Sequence, residues 1–293
     1  MTHIKSLACI FLLGALWGPS FLFIKVALEG GMPPLSIAAL RVGIAAIFLW
    51  IFIALRGIEL PTSAKVYFHT AVIAIFSLAL PFILINLAEQ YIDSALAGII
   101  NGLTPIATTL LAHLLIHDEK LNRNRIIGIT LGLIGFLLLL LPTLLTKEII
   151  ADTLSIIGVG IAALSYAVGI IYGRMFLHTT RTLALPALQV SFAALYLIPI
   201  ALFFDGIIPF AEISQSAWIS VILLAFLGTA CAFIVYFYVL QHYGAVALGT
   251  SVFLLPIFAI IFGVIFLGES LSWIIYAGTL LILSGMKLVH GRT

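Results

Sequence analysis

Ten apolar stretches, each long enough to cross a bilayer, fill most of this 293-residue chain. A helix needs roughly 20 apolar residues to span the hydrocarbon layer. Only 8% of the residues are charged, whereas a soluble chain carries about 25%. We therefore predict an all-α membrane protein with ten spans: Leu7–Leu28, Leu35–Leu55, Val66–Ala88, Ser94–Ile116, Ile126–Leu145, Leu154–Tyr172, Leu183–Phe204, Ala217–Leu240, Gly244–Leu267 and Leu271–Val289.

Landmark residues recur in the two halves of the chain, about 150 positions apart. The pairs are Gly128 and Gly278, Gly135 and Gly285, Glu119 and Glu269, Pro105 and Pro256, and Lys25 and Arg174. All lie in or beside apolar runs, which indicates two five-span repeats, residues 1–146 and 147–293. A duplicated helical bundle of this kind is typical of proteins that move solutes across a membrane.

The distribution of basic residues predicts the orientation of the chain. Ten of the thirteen basic residues fall on the side of the N-terminus: Lys5, Arg56, Lys65, Lys120, Arg123, Arg125, Arg174, Arg181, Lys287 and Arg292. Because cytoplasmic loops carry the excess of Lys and Arg, both termini are predicted to be cytoplasmic. Five spans per repeat is an odd number, so the second repeat is expected to be inverted, with a substrate site near the midplane.

Two prolines occupy equivalent positions near the centres of the fourth and ninth spans, Pro105 and Pro256. Each proline removes the helical partner of the carbonyl four residues earlier, which belongs to Asn101 or Val252. Polar candidates for substrate binding lie beside these helix breaks: Asn101, Thr104, Thr250 and Ser251. The bends either line a cavity or curve the helices for packing, and the sequence leaves both interpretations open.

Arg41 lies six to eight residues inside the second predicted span, roughly 9–12 Å at the helical rise. A charge at a helix centre costs about 2.5–3.5 kcal/mol on insertion scales, so it normally has a partner. We favour an ion pair with Glu29, Glu89 or Asp93, and the alternative is a clamp for a substrate carboxylate. Lys25 is expected to extend toward the interface.

Six uncharged side chains complete the candidate substrate site. Trp17, Tyr166 and Tyr236 could supply flat walls for an organic solute, and Asn86, Asn101 and Gln189 could donate or accept hydrogen bonds. Packing or an interfacial belt is the alternative for the aromatic residues. The amides could equally hold helices together.

Several short motifs, taken in order, resemble the EamA-type repeat of the drug/metabolite transporter superfamily. In the second half they are Tyr236–Ala247, Leu255-Pro-Ile, Phe266-Leu-Gly-Glu-Ser-Leu and Gly278, and in the first half Leu16-Trp-Gly, Leu40-Arg, Ala88-Glu-Gln-Tyr, Leu103-Thr-Pro and Asp118-Glu-Lys-Leu. The resemblance covers nearly the whole chain. It implies a ten-helix carrier of the bacterial inner membrane that works by alternating access, often an exporter of amino acids or related metabolites.

We therefore expect a multi-pass secondary transporter of small metabolites, most plausibly amino acids moved outward, acting as a monomer or homodimer without cofactor, metal or nucleic acid. Import of a nucleotide-like, purine or cofactor-like solute and an intramembrane enzyme are the alternatives. No carboxylate lies in the middle of a span, since Glu89, Asp93 and Glu269 fall near ends or loops. That placement weakens the case for proton-driven antiport and leaves His69 and His113 as titratable candidates within spans.

Overall fold

The computed structural model describes residues 2–116, 121–145, 150–177, 180 and 182–290. Within these residues all regular structure is helical, and no strand occurs. The α-helices are α1 (Thr2–Trp17), α2 (Ser20–Glu29), α3 (Pro34–Arg56), α4 (Ala64–Ala74), α5 (Leu80–Ala88), α6 (Ser94–Asn101), α7 (Thr104–Leu115), α8 (Arg123–Leu145), α9 (Ile150–Phe176), α10 (Leu185–Phe204), α11 (Gln215–Ala225), α12 (Ala232–Val252), α13 (Leu254–Leu267) and α14 (Trp273–His290). Two π-helical turns, Ile75–Ala79 and Phe226–Cys231, join α4 to α5 and α11 to α12.

Eight helical segments of the described chain are long and apolar enough to cross a membrane. They correspond to the first eight predicted spans. The last two predicted spans contain the shorter apolar helices Leu254–Leu267 and Trp273–Val289. The all-helical membrane class is confirmed, and the count of ten spans stays a prediction.

The helical segment that contains Pro105 is broken in two. Helix α6 ends at Asn101 and α7 begins at Thr104, with the proline in the first turn of α7. The Asn101 carbonyl does not remain without a partner, because the Thr104 hydroxyl donates to it at 2.8 Å. A comparable break separates α1 from α2 at Gly18 and Pro19, which the sequence analysis had treated as one uninterrupted span.

The predicted connection between the eighth and ninth spans, at positions 241–243, is wrong. Helix α12 continues through it to Val252, and the chain breaks at Phe253 before α13 begins. No proline occurs between Ala232 and Val252, so nothing in that segment interrupts the backbone ladder. The break falls instead where Pro256, which has no backbone N–H group, cannot donate to the Val252 carbonyl.

The duplicated glycines lie against each other across the two repeats. A Cβ atom on Gly128 would stand 2.6 Å from the carbonyl oxygen of Gly285, and one on Gly135 would stand 2.8 Å from that of Gly278. The earlier glycine of α8 thus meets the later glycine of α14, and the later meets the earlier. The two helices are therefore antiparallel, as equivalent helices of an inverted repeat must be. The predicted repeat boundary at 146/147 lies outside the described residues.

The main hydrophobic core is shared by both halves of the chain. Its largest cluster includes Phe21 and Ile99 from the first half and Leu255, Ile282 and Met286 from the second. Glycine pairs permit these close helix contacts: a Cβ atom on Gly14 would lie 2.7 Å from Cβ of Leu254.

Candidate functional site

Arg41 is the one charged residue among the ten predicted substrate-binding residues. It is buried, with 6% of its surface exposed. Its Nε donates to Oγ1 of Thr229 at 2.8 Å, and its Nη2 donates to the Gly228 carbonyl at 3.3 Å. The guanidinium carbon lies 3.8 Å from the centre of the Phe82 ring. All three of these partners are neutral.

The acceptors of Arg41 come from the π-helical turn Phe226–Cys231. A π-helical turn is wider than an α-helical one, and its backbone bonds connect residues five apart. The Thr229 hydroxyl follows that wider spacing, because it donates to the Leu224 carbonyl at 3.2 Å while accepting from Arg41. No sequence motif marked Gly228 or Thr229 in advance, since π-helical turns have no simple residue signature.

The ion pair favoured for Arg41 is not formed. Within the described part of the chain, no carboxylate lies at ion-pairing distance from the guanidinium, and its hydrogen bonds go to Thr229 and Gly228. Glu89 is near enough to act on Arg41 electrostatically, as is the Tyr166 hydroxyl. The π-helical turn supplies the hydrogen bonds that the sequence analysis assigned to a carboxylate.

The structure brings two of the predicted aromatic walls together. The ring centres of Trp17, at the end of α1, and Tyr236, on α12, are 5.9 Å apart. Tyr166 approaches from α9 on the side of Arg41. All three rings are half-buried.

The predicted polar residues differ in how many of their side-chain donors and acceptors already have hydrogen-bond partners. Asn86 is fully buried, and its amide nitrogen donates to the Pro34 carbonyl at 2.9 Å. The side-chain carbonyl oxygens of Asn86 and Asn101 are buried without a hydrogen-bond partner among the described residues. The Thr104 hydroxyl is committed to the α6–α7 break.

The remaining predicted residues lie farther along the second half. Gln189 is 8% exposed and lies on α10, a helix that packs against α3. Ser251 is fully buried near the end of α12 and already makes a contact there. The side chain of Thr250 lies outside those that the structure describes.

Two adjoining cavities open at the far end of α2, away from these residues. One has a volume of about 460 Å³ and the other about 310 Å³. Both are lined by Lys25 and Glu29, the larger one also by Glu89 and the smaller one by Asp93 and Glu269. None of the ten predicted substrate-binding residues lines either cavity, so these two openings do not coincide with the site expected at the midplane.

Two charged side chains between these cavities hold the turn from α5 to α6. The Lys25 ammonium donates to the carbonyls of Glu89 and Ile92 at 2.9 and 3.1 Å. The Glu269 carboxylate accepts from the backbone N–H groups of Ser94 and Ala95 at 2.8 and 3.0 Å. A cation thus lies at the end of one helix and an anion at the start of the next, as the helix dipoles favour.

The expectation that Lys25 extends toward the interface stays a prediction; its ammonium binds backbone carbonyls in the turn between the spans that end at Ala88 and begin at Ser94. Glu269 caps a helix of the other repeat, a long-range role that its position beside Gly268 did not reveal. The repetition of this glutamate was the one signal in the sequence. Its counterpart Glu119 lies outside the described residues.

Glu89 combines full burial with a side chain that makes no hydrogen bond. None of its surface is exposed, and neither carboxylate oxygen has a partner among the described residues. Removal from water penalises the charged form, so burial raises the pKa of this carboxyl well above its ordinary value, although nearby Lys25 opposes the shift. The position of Glu89 in the sequence indicated that it lies at the end of a span. It did not indicate that the carboxylate is isolated from solvent.

The fold and this buried polar interior define a class: a multi-pass membrane protein of a transporter family. The chain belongs to the EamA-like transporter family, whose model matches residues 4–141 and 153–290. The match confirms the resemblance drawn from the sequence motifs. It also confirms that the family's repeat occurs twice.

Similar proteins cover nearly the whole chain. An uncharacterized transporter of Bacillus subtilis, YoaV, is 24% identical to this chain. The matched region covers 97% of this chain and 96% of the YoaV chain. The uncharacterized inner membrane transporter YedA of Escherichia coli is 27% identical over 90% of this chain and 83% of its own. One solved crystal structure, 18% identical, covers 97% of this chain and 96% of its own with a TM-score of 0.67, which supports the fold alone.

Proposed function

We propose that this protein is a secondary carrier that exports amino acids or related small metabolites across the bacterial inner membrane by alternating access. Membership of a transporter family supports the class of activity. The choice of solute rests on the buried cation Arg41. Its hydrogen-bond partners among the described residues are neutral.

A guanidinium removed from water retains its full charge, because arginine is not deprotonated in proteins. Thr229 and Gly228 supply hydrogen bonds without supplying a negative charge. A solute carboxylate would add that charge and the strong hydrogen bonds typical of an arginine–carboxylate pair. Solutes that carry a carboxylate are therefore favoured over neutral or cationic ones.

The other predicted residues suit the opposite end of an amino acid. The side-chain oxygen of Asn101 is a buried acceptor without a partner among the described residues, and in the proposed mechanism it accepts from the α-ammonium group once movement of the repeats opens the site. Trp17 and Tyr236 lie 5.9 Å apart and offer half-buried ring surface for an apolar side chain. Arg41, Asn101 and this aromatic pair form the proposed binding set.

Alternating access would use the breaks in the helices. The α1–α2 and α6–α7 breaks interrupt the backbone hydrogen-bond ladder, so the chain can bend at these points. Antiparallel packing of α8 on α14 is compatible with two repeats that rock against each other around a central site. In this mechanism both termini are cytoplasmic.

The direct test measures uptake of a labelled amino-acid panel into proteoliposomes that contain the same amino acids inside. Arg41→Met should abolish exchange of any amino acid that the wild-type protein transports. Arg56→Met is the matched control, since Arg56 is exposed at the end of the same helix, and it should retain exchange. Decarboxylated amines should fail to compete; equal competition by them would contradict the carboxylate role.

Two further substitutions test the rest of the binding set. Asn101→Ala and Tyr236→Ala should reduce flux while membrane insertion and elution as a monodisperse protein remain normal. Unchanged flux would remove the residue from the site. Efflux of labelled amino acids from preloaded cells, compared with uptake, establishes the direction.

A further inference from the structure

Glu89 has an unusual position between the larger cavity and the buried interior. It follows the last residue of α5, lines the 460 Å³ cavity, and has no exposed surface of its own. Both carboxylate oxygens lack hydrogen-bond partners. A buried carboxylate without partners is strongly disfavoured, whereas a neutral carboxyl group in the same place is much less so.

Charged side chains lie on several of the elements around Glu89. They are Lys25 and Glu29 on α2, Arg41 on α3, Asp93 in the same turn, Glu269 between α13 and α14, and Asp152 on α9, which acts on Asp93. Lys25 directs its ammonium to two backbone carbonyls rather than to the Glu89 carboxylate. Of these groups, two cations, Lys25 and Arg41, and one carboxylate, Glu269, act on Glu89 directly, so loss of hydration, and not an excess of neighbouring negative charge, favours the protonated form.

The size of the ligand follows from the burial of Glu89. An organic ammonium ion must touch the carboxylate oxygens, and these oxygens present no accessible surface. Within the described residues, no three His, Cys, Asp or Glu side chains are grouped so as to hold a metal ion. A proton adds almost no volume, so it can remain on a buried carboxyl group where a larger cation has no room.

We propose that Glu89 is a proton-binding site that couples solute movement to the proton gradient, a role that rests on the proposed transport function. In the conformation described, Glu89 is a neutral carboxyl group closed off from water. When the repeats move and water reaches Glu89 from one side of the membrane, the carboxyl group releases its proton to that water, and the carboxylate takes a proton from water on the other side before it is buried again.

The other titratable candidates within the described spans already have partners. Nδ1 of His69 lies 2.8 Å from the Tyr172 hydroxyl, and its ring stacks on Phe176. His113 also makes a contact. Glu89 differs from both histidines because its two carboxylate oxygens have no hydrogen-bond partner among the described residues.

Difference infrared spectroscopy of the purified full-length protein tests proton binding without knowledge of the solute. As pH rises, the wild-type protein should lose a neutral-carboxyl band at a pH above the ordinary range of glutamate. The band should be missing in Glu89→Gln and retained in Glu29→Gln, the control from the exposed rim of the same cavity. Glu89→Asp keeps a carboxyl group and should show a band even if Glu89→Gln fails to fold.

An unchanged band in Glu89→Gln, or a wild-type protein without such a band, would overturn the proton-binding site. Coupling is tested separately by imposing a pH gradient on the proteoliposomes. The gradient should accelerate wild-type amino-acid flux, and Glu89→Gln should lose this acceleration; retained acceleration would overturn coupling. If no amino acid is transported, the proposed function fails while the infrared result still decides proton binding.

Discussion

Nε of Arg41 donates a hydrogen bond to Oγ1 of Thr229 at 2.8 Å, joining the third helix to the π-helical turn before α12. The contact connects residues 188 positions apart and holds the one cation of the proposed binding set.

Replacing Thr229 with valine should destabilise the protein by about 1.5–3 kcal/mol, the usual range for a hydrogen bond to a charged group. The substitution leaves the shape nearly unchanged but removes the acceptor of Arg41. Chemical unfolding in detergent measures the loss. Thr279→Val is the matched control, because the buried Thr279 hydroxyl bonds only to the carbonyl of Ile275 in its own helix; equal losses in both variants would contradict a special role for Thr229.

Alanine at Gly128 or Gly285 should separate α8 from α14. Each added Cβ would stand 2.5–2.6 Å from the carbonyl oxygen of the facing glycine, so the helices must move apart. Overpacking of this kind costs about 1–3 kcal/mol. Gly158→Ala provides the comparison in thermal unfolding, since a Cβ there meets nothing within 4 Å, and it should be neutral or slightly stabilising.

Glu269→Ala should weaken the start of α6. The carboxylate binds the N–H groups of Ser94 and Ala95, and loss of a comparable helix cap costs about 0.5–2 kcal/mol. Hydrogen exchange should become faster at these two amides in particular. The exposed residue Glu212 provides the control substitution to alanine; unchanged exchange in Glu269→Ala would show that the cap contributes nothing.

Thermal stability should depend on pH through Glu89. Burial raises the pKa of this carboxyl, so the folded protein binds the proton more tightly than the unfolded chain does. Its stabilising contribution is complete below the ordinary glutamate pKa and is lost as pH rises through the raised value. The slope is at most about 1.4 kcal/mol per pH unit.

The melting temperature of Glu89→Gln should therefore fall less than that of the wild-type protein over the same rise in pH. Asp93 has a pKa raised by partial burial as well, and it contributes the same dependence to both proteins. Identical pH profiles would mean that Glu89 does not titrate in the folded state.

Local sequence was sufficient for the membrane class, most span limits and the positions of two helix breaks, but the break at Gly18 and Pro19 was missed. Pro105 and Pro256 act through backbone geometry that belongs to the residue itself, so their effect is visible without any partner. The end of α12 was misplaced because several polar residues at positions 241–243 resembled a loop, although none of them prevents a helix. The paired glycines suggested helix contacts but not which glycine meets which.

The sequence by itself determined that this chain is a duplicated bundle of apolar helices, because hydrophobic length and repeated landmarks are properties of the residues in order. Only the tertiary structure decided the partners of Arg41, the clamps made by Lys25 and Glu269, and the isolation of Glu89. Those contacts join residues far apart in the chain, and their energies depend on distance and exclusion of water, which residue order does not specify.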